Sequence, residues 1–264
     1  MKRILPLALL LLSLSSCKKM FLYHPEEVRP DYHNLNAINL ERLAALPEKT
    51  NFKFVLVGDN QRFYDQFDDF ITLMNSRDDI SFILLDGDMV DFGLNKEYNW
   101  VAERMQRLNK PYICALGNHD MLANGKLIFN EMFGPENFSF TWSGSKFIVI
   151  NTNSREAGFD GTVPDINWLS NEVHNDGGAT NLFVLSHVAP YSGDFDRNLE
   201  QPYAQALESN PHTRISLHGH EHRYELTSPY EDEIPYLLAG SAGDRTFCEI
   251  TVTGDQYQIE HITY

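Results

Sequence analysis

Five clusters of polar side chains, each directly after an apolar run, have the residue types that bind metal ions. They are Asp59/Gln61, Asp88/Asp91, Asn118/His119/Asp120, His187 and His220/His222. Carboxylate and carbonyl oxygens are ligands of hard divalent cations, and zinc, iron and manganese accept imidazole as well. Oxygen and nitrogen donors from five clusters exceed what one metal ion needs, and they fit two ions bridged by one carboxylate.

Each cluster taken alone has an ordinary structural interpretation. An aspartate after a strand is usually a turn or capping residue, and a single histidine such as His187 is usually a core or surface residue. The pair His220 and His222 is more informative, because residues two apart in an extended segment point to the same side. The occurrence of all five clusters at predicted strand ends favours a metal site over coincidence.

The apolar runs before the clusters are typical of buried β-strands. Residues 52–58 are the clearest example, because an apolar, β-branched run ends at Gly58, which allows a sharp turn into Asp59. In open α/β sheets the ligand site lies beyond the carboxyl ends of the strands. We therefore expect the five clusters to converge on one site.

The chain as a whole is predicted to alternate strands and helices. Strands are predicted at 52–58, 80–86, 111–116, 138–142, 146–150, 181–186, 213–217, 235–239, 246–252 and 257–263, and helices at 35–46, 64–74, 95–109, 126–133, 164–173 and 195–207. The last three strands are predicted to be antiparallel neighbours. This order indicates the α/β class, as a two-sheet sandwich with mixed sheets and helices outside.

Length and composition narrow the class of protein. The chain has 264 residues, of which 42% are hydrophobic, which fits a large domain with an ample core and argues against a disordered or multi-span membrane protein. The formal net charge of −16 argues against non-specific binding to nucleic acid, so no nucleic-acid partner is expected. A phosphate substrate is compatible with this charge, because bound cations can reverse the local field. Cys114 and Cys248 lie in apolar runs and are predicted to be buried packing residues.

The N-terminus resembles a bacterial lipoprotein signal. Lys2 and Arg3 precede an apolar run, residues 4–14, that is too short to span a bilayer comfortably. Leu14-Ser15-Ser16-Cys17 then matches the lipobox, in which the cysteine becomes the lipid-bearing N-terminus after cleavage. An uncleaved anchor or an ordinary secretory leader is the alternative.

This match divides the chain into a signal peptide over residues 1–16, a lipid-anchored tether and edge helix over 17–50, and a main domain over 51–264. It implies export and acylation of Cys17, and hence attachment to a membrane through the lipid. Lys18 is not the acidic residue associated with retention in the inner membrane. We therefore expect a position in the bacterial cell envelope, at the outer membrane or periplasmic face rather than the inner membrane.

The five clusters together resemble the motifs of the calcineurin-like metallophosphoesterases. The family pattern is Asp-x-His, Gly-Asp-x-x-Asp, Gly-Asn-His-Asp/Glu, a single His and Gly-His-x-His. In this chain the motifs are, in the same order, Asp59-Asn60-Gln61, Gly87-Asp88-Met89-Val90-Asp91, Gly117-Asn118-His119-Asp120, His187 and Gly219-His220-Glu221-His222. The resemblance covers roughly residues 52–250 and implies the family's four-layer α/β/β/α sandwich.

The resemblance also implies a role for each matched residue. A first metal ion would be held by Asp59, Gln61 and His222, a second by Asn118, His187 and His220, and Asp88 would bridge the two. His119, oriented by Asp120, would contact the leaving group or a phosphoryl oxygen and act as general acid. The implied reaction is hydrolysis of a phosphate ester by attack of a metal-bridging hydroxide.

Gln61 is the departure from the family pattern, which has histidine at that position. Glutamine offers a neutral carbonyl oxygen, a harder and weaker ligand than imidazole. The site is then either a degraded one that holds only the second ion, or a working variant, and the presence of every other ligand favours the variant. A subgroup resembling the manganese-dependent ADP-ribose/CDP-alcohol pyrophosphatases also has Asp-x-Gln. We expect two divalent ions of manganese, iron or zinc, with manganese favoured.

Other residues near the motifs are weaker candidates for the site. Arg62 is either a phosphate clamp or a surface arginine, and with Asn118 and His119 it completes the predicted substrate-binding set. Asp91 is expected to support the site or form a turn rather than bind metal. Four further residues lie outside the family motifs. Arg155, Asn153 and Tyr191 are candidates for lining the substrate cleft, and His218 is expected to be a buried residue at a strand end.

The predicted function is that of an exported, lipid-anchored, dinuclear metal-dependent phosphoesterase. The substrate is expected to be a phosphorylated small molecule, a nucleotide or a phosphoprotein, and the chain is expected to be a monomer. Two alternatives stay open: a nucleotide-diphosphate pyrophosphatase that uses the same site, and a non-catalytic metal- or ligand-binding lipoprotein.

Overall fold

The computed structural model describes residue 24, residues 26–231 and residues 234–264. The predicted signal peptide, residues 1–16, and the predicted lipidation site, Cys17, lie outside these residues. Within the part of the chain that is described, no helix is long and apolar enough to cross a membrane.

The described residues form six α-helices and eleven strands. The helices are α1 (Leu35–Ala44), α2 (Tyr64–Ser76), α3 (Asn95–Met105), α4 (Gly125–Met132), α5 (Ile166–His174) and α6 (Arg197–Glu208). The strands are β1 (Asn51–Val57), β2 (Ile80–Leu85), β3 (Tyr112–Cys114), β4 (Phe138–Trp142), β5 (Ser145–Val149), β6 (Asn181–Leu185), β7 (Thr213–His218), β8 (Tyr224–Thr227), β9 (Tyr236–Ala239), β10 (Thr246–Thr253) and β11 (Gln256–Thr263). Their bounds lie close to the predicted ones, except that α3 is shorter and β8 has no predicted counterpart.

The strands form two mixed sheets. The first has the order β11-β10-β1-β2-β3, in which β1, β2 and β3 are parallel and β10 is antiparallel to both its neighbours. The second has the order β4-β5-β6-β7-β9-β8, in which β5, β6, β7 and β9 are parallel. The prediction that the last three strands are antiparallel neighbours is wrong, because β9 lies in the second sheet. Strand β8 pairs with β9 at the edge of the sheet. It was not predicted because Tyr224 and Leu226 are exposed, so its sequence does not form a buried apolar run.

An aromatic core joins the two sheets face to face. Phe54 of β1 stacks on Phe82 of β2 with ring centroids 5.3 Å apart. The Phe54 ring also meets Phe147 of β5 and Phe183 of β6 edge-on, at 5.4 Å in each case. Aromatic pairs of this kind are worth ~0.5–1.5 kcal/mol each beyond their buried area. The core therefore fixes β1, where the first predicted ligands follow, against the opposite sheet.

Helices cover the outer face of each sheet, so the molecule has four layers. Along β1, Phe54 and Leu56 belong to the core between the sheets, whereas Val55 and Val57 pack with residues of α2, α3 and α4. A third core lies between the second sheet and helices α5 and α6. The predicted α/β class and the two-sheet sandwich with helices outside are confirmed.

Helix α1 covers the edge strand β3 with two asparagine side chains. Asn36 donates to the Cys114 carbonyl at 3.0 Å and accepts from the Cys114 N–H at 2.8 Å. Asn39 accepts from the Tyr112 N–H at 3.2 Å. These amides take the place of a neighbouring strand, so backbone groups of β3 that are buried have partners. Cys114 and Cys248 are both buried and form no disulfide with each other, which confirms the prediction that they are packing residues.

The chain packs on the domain well before residue 51, the predicted domain start. The Arg29 backbone exchanges two hydrogen bonds with the Asn95 side chain of α3, at 2.8 and 2.9 Å. The Asp31 N–H donates to Asn99 Oδ1, also on α3, at 2.9 Å. The part of the predicted tether and edge helix, residues 17–50, that begins at Arg29 is therefore attached to the main domain.

Replacing Asn36 by alanine is expected to lower the free energy of unfolding by about 2 kcal/mol, because buried N–H and C=O groups of Cys114 would lose their partner. Urea unfolding of the variant measures this loss. Glu41→Ala, at an exposed position of the same helix, is the control and is expected to unfold like the wild type. An unchanged midpoint for Asn36→Ala would show that the edge of β3 does not depend on this amide.

Candidate metal centre

The predicted ligands lie at one end of the sandwich, on loops that follow five parallel strands. Asp59 and Gln61 follow β1, Asp88 follows β2, Asn118 follows β3, His187 follows β6, and His220 and His222 follow β7. Strands β1, β2 and β3 are neighbours in one sheet, and β6 and β7 are neighbours in the other. Their carboxyl ends meet across the sandwich, and the structure brings all of these predicted ligands together.

Four of the predicted ligands form one set around Asn118 Oδ1. This oxygen lies 3.1 Å from His187 Nε2 and 2.9 Å from His220 Nδ1. His187 Nε2 also lies 3.3 Å from Asp88 Oδ1. His187 Nδ1 lies 2.8 Å from the Asp86 carbonyl, which can only accept, so in the neutral ring the proton is on Nδ1 and the Nε2 lone pair faces the set.

The remaining predicted ligands form a second set that also includes Asp88. His222 Nε2 lies 3.2 Å from Asp59 Oδ1. The Gln61 amide nitrogen donates to Asp88 Oδ2 at 3.2 Å. A half-turn of the amide about its terminal bond would bring its carbonyl oxygen to the same position. Gln61 therefore reaches this set, and the orientation of its amide decides whether it presents an oxygen.

Both sets have the donors that divalent cations require. Ligand atoms of Asp88, His187 and His220 lie within 4.8 Å of one another, as do those of Asp59, Asp88 and His222. Asp59 Oδ1 is buried and lies 3.2 Å from His222 Nε2, so both atoms face the place where a cation would lie. Mixed carboxylate, amide and imidazole donors suit manganese, iron and zinc. The residues present therefore fit two cations that share Asp88.

Buried negative charge makes the site favourable for cations. Burial raises the pKa of the Asp86 carboxyl well above its usual range, and the Asp59 carboxylate raises it further. Burial also disfavours charge on Asp88, but the neighbouring His187 and His119 lower the pKa of Asp88 to about 2. Burial lowers the pKa of His187, but Asp88 and Asp59 outweigh this effect and raise it to about 10. The carboxylates thus favour positive charge at the place where His187 and Asp88 meet.

Most of the predicted ligands have a left-handed backbone conformation. The φ angles are 51° at Asp59, 29° at Gln61, 51° at Asp88, 71° at His220 and 52° at His222. For residues other than glycine this conformation costs about 1–2 kcal/mol each, and it persists only where the surrounding structure imposes it. Strained residues that cluster in this way are typical of functional sites.

Asp86 is a residue of the site that the sequence analysis did not identify. Its carboxyl is fully buried, and neither oxygen has a hydrogen-bond partner among the described residues. A Cβ at Gly58 or at Gly219 would collide with Asp86 Oδ1, so both turns require glycine. The available signal was the second acidic residue beside Gly87, two positions before Asp88.

His119 lies beside Asp88 with one ring nitrogen left for a substrate. Its backbone N–H donates to Asp88 Oδ1 at 2.8 Å. Its Nδ1 donates to the Asp91 carbonyl at 2.8 Å, and the side chain is 36% exposed. Because a carbonyl can only accept, Nδ1 carries a proton, and Nε2 is the atom that can exchange one with a bound molecule.

The structure does not bear out the expectation that Asp120 orients the His119 ring. Asp120 is fully buried, and its carboxylate accepts from three backbone N–H groups in the loops after β2 and β3, at 2.8 to 3.0 Å. These donors use both oxygens, so Asp120 joins the loop of Asp88 to the loop of Asn118. The Asp91 carbonyl orients His119 instead.

Arg62 lies at the edge of the site and is already paired. Its Nη1 lies 2.8 Å from Asp91 Oδ2, and its side chain is 63% exposed. Binding of a phosphate by Arg62 would therefore require it to share or leave Asp91. Asn153 is fully buried and donates to the Leu116 carbonyl at 2.9 Å, so it supports the loop of Asn118 rather than lining a cleft.

The other weak candidates lie around the loops of the second sheet. Arg155 pairs with Asp194 at 2.6 Å and is 47% exposed. The half-buried Tyr191 packs edge-on against Tyr236, with ring centroids 6.2 Å apart. His218 is fully buried, as expected.

Comparison with known proteins gives a family and a fold. The family model for Calcineurin-like phosphoesterase matches residues 52–224. A protein named "Probable cyclic nucleotide phosphodiesterase", from Moraxella catarrhalis (strain BBH18), is 25% identical over 195 residues, which cover 67% of this chain and 69% of that protein. A dimetal phosphatase from Danio rerio has a TM-score of 0.63 at 10% identity, over 81% of this chain and 99% of its own. A purple acid phosphatase from yellow lupin (Lupinus luteus) seeds has a TM-score of 0.63 at 14% identity, over 82% of this chain and 52% of its own.

Proposed function

The chain belongs to the calcineurin-like phosphoesterase family and is a metal-dependent phosphoric ester hydrolase, and we propose that it works with two divalent cations that share Asp88. The observation that carries this proposal is the presence of Asp88 in both sets of ligand atoms. His187 approaches Asp88 at Oδ1, whereas Gln61 approaches it at Oδ2. Each carboxylate oxygen thus faces its own set.

The side chains of the site have two roles: most would bind the cations, and His119 would transfer a proton. Asp59, Gln61 and His222 would hold the first cation, and Asn118, His187 and His220 the second. When bound, such a pair of cations supplies Lewis-acid charge and a nucleophilic water of lowered pKa. The chain orients its donors, as the Asp86 carbonyl does for His187, and His119, when its imidazole carries a second proton on Nε2, would give that proton to the leaving oxygen.

The substrate class that we propose is a phosphodiester, with cyclic nucleotides as the first members to test. The name of the Moraxella relative supports this choice. Because the chain has a net charge of −16, it repels an anionic substrate at long range, so binding is expected to depend on the cations. Nucleotide diphosphates, phosphomonoesters and phosphoproteins are competing substrates for the same site.

Hydrolysis by the manganese-loaded full-length protein tests the proposal. The substrates are bis(p-nitrophenyl) phosphate, cyclic AMP, ADP-ribose and p-nitrophenyl phosphate, and we expect the diesters to react fastest. Asp88→Asn is expected to abolish turnover, because the shared ligand loses its charge, whereas Asp176→Asn, outside the site, should not change it. Failure to hydrolyse any of them would contradict the proposal and favour a binding lipoprotein. Fastest hydrolysis of ADP-ribose would favour a pyrophosphatase.

The proton-donor role of His119 predicts a dependence on the leaving group. His119→Ala is expected to lower kcat about 100-fold or more for cyclic AMP, whose alkoxide leaving group needs a proton. The loss is expected to be much smaller for bis(p-nitrophenyl) phosphate, because p-nitrophenolate leaves without one. His174→Ala, exposed at the end of α5, is the control. Equal losses for both substrates would contradict the role.

Gln61 supports manganese, or iron(II), as the preferred first cation. A neutral amide oxygen suits harder cations, whereas imidazole suits zinc. Gln61→His is therefore expected to shift the ratio of zinc to manganese affinity roughly tenfold toward zinc, which corresponds to ~1.4 kcal/mol. Competition titrations with the two metals measure the ratio. No change in the ratio would contradict the assignment of Gln61 as a ligand.

Export and lipid attachment at Cys17 form the localisation part of the proposal. The support is the sequence Leu14-Ser15-Ser16-Cys17 after a short apolar run. Val28 already packs against the core of the domain, so the proposed lipid site is close to the domain in the sequence. We place the protein at the outer membrane or the periplasmic face of the cell envelope. Cys17→Ser is expected to abolish incorporation of labelled palmitate, and labelling that persists would contradict this part.

A further inference from the structure

His220 lies between an oxygen of the metal centre and an oxygen outside it. Its Nδ1 lies 2.9 Å from Asn118 Oδ1, within the set that would hold the second cation. Its Nε2 lies 3.0 Å from Asp194 Oδ2. The His220 side chain is 14% exposed, so the ring has little freedom to leave these two neighbours.

Asp194 is held in place by contacts on both sides of its loop. Arg155 Nη1 lies 2.6 Å from Asp194 Oδ2, and the Arg155 N–H donates to the Asp194 carbonyl at 3.3 Å. In the same loop Ser192 donates to Glu221 Oε1 at 3.0 Å. Glu221 is the residue next to His220, so two side-chain contacts tie the loop after β6 to the loop after β7.

Asp194 and Asn118 compete for the proton of the His220 ring. A neutral imidazole carries one proton, and both facing oxygens can only accept. The ring therefore donates either Nε2–H to Asp194 or Nδ1–H to Asn118. A carboxylate oxygen is a stronger acceptor than an amide oxygen, and Arg155 holds Asp194 Oδ2 in its place beside the ring. The proton then lies on Nε2, and the Nδ1 lone pair faces the metal centre.

We propose that Asp194, supported by Arg155, is a positioning residue that fixes His220 in the tautomer able to bind the second cation. This inference rests on the proposed dinuclear centre. The opposite tautomer would place an N–H where a cation must bind. A residue that accepts a hydrogen bond from the ring nitrogen of a metal-binding histidine that does not face the metal typically contributes 10–100-fold to metal affinity. Neither Asp194 nor Arg155 belongs to one of the five motifs.

Calorimetric titration of the metal-free full-length protein with Mn²⁺ tests the inference. The wild type is expected to bind two ions. Asp194→Ala is expected to raise the Kd of one ion about 10–100-fold and to leave the other nearly unchanged. Asp194→Asn is expected to have a smaller effect, because its amide oxygen can still accept from Nε2–H. Asp176→Ala is the matched control, since it removes a carboxylate 3.2 Å from His212 Nδ1, outside the site.

A second measurement separates positioning from a general loss of structure. Nitrogen chemical shifts of the His220 ring in the metal-free protein report which nitrogen carries the proton. We expect Nε2–H in the wild type and in Asp176→Ala, and a shift toward Nδ1–H in Asp194→Ala. Wild-type Kd values or an unchanged His220 tautomer in Asp194→Ala would overturn the inference. Binding of fewer than two ions by the wild type would instead overturn the dinuclear centre on which it rests.

Discussion

Three carboxyl groups, those of Asp59, Asp86 and Asp88, are buried together at the ends of β1 and β2, and burial and the Asp59 carboxylate raise the pKa of Asp86 so that its neutral form is favoured. Burial removes the water that would otherwise stabilise each charge, so the carboxylates that stay ionised need positive charge from neighbouring side chains or from cations. In the protein the neighbours are imidazoles, and His187 is the most affected of them because its pKa rises to about 10. A pair of divalent cations would meet the same demand with more charge.

The sandwich makes this arrangement possible because it brings the strand ends of its two sheets together. The first sheet supplies the carboxylates and amides, and the second supplies the imidazoles of His187, His220 and His222. The aromatic contacts of Phe54 keep the two sheets in register. Strain in the ligand loops is offset by buried hydrogen bonds such as the three that Asp120 accepts. Rigid sheets and strained loops together hold ligands of opposite charge a few ångström apart.

Hydrophobic runs followed by polar clusters were sufficient to predict the fold class and which polar side chains lie together in the candidate metal centre. Parallel strands force their carboxyl ends together, so a prediction of strands is also a prediction of which side chains meet. The role of Asp120 was not predictable in this way, because its partners are backbone N–H groups that leave no mark on the residue pattern. Strand β8 was missed because its exposed Tyr224 and Leu226 do not form a buried run. Asp194 lies far from His220 in the chain, and only the folded loops bring the two together.

Anomalous diffraction from crystals grown with Mn²⁺, recorded at the manganese absorption edge, is the most direct test of the shared role of Asp88. Two peaks per chain are expected, one beside Asp59 and one beside Asn118, with a different oxygen of Asp88 in contact with each. A single peak, or two peaks that Asp88 does not join, would contradict a dinuclear centre built on this carboxylate.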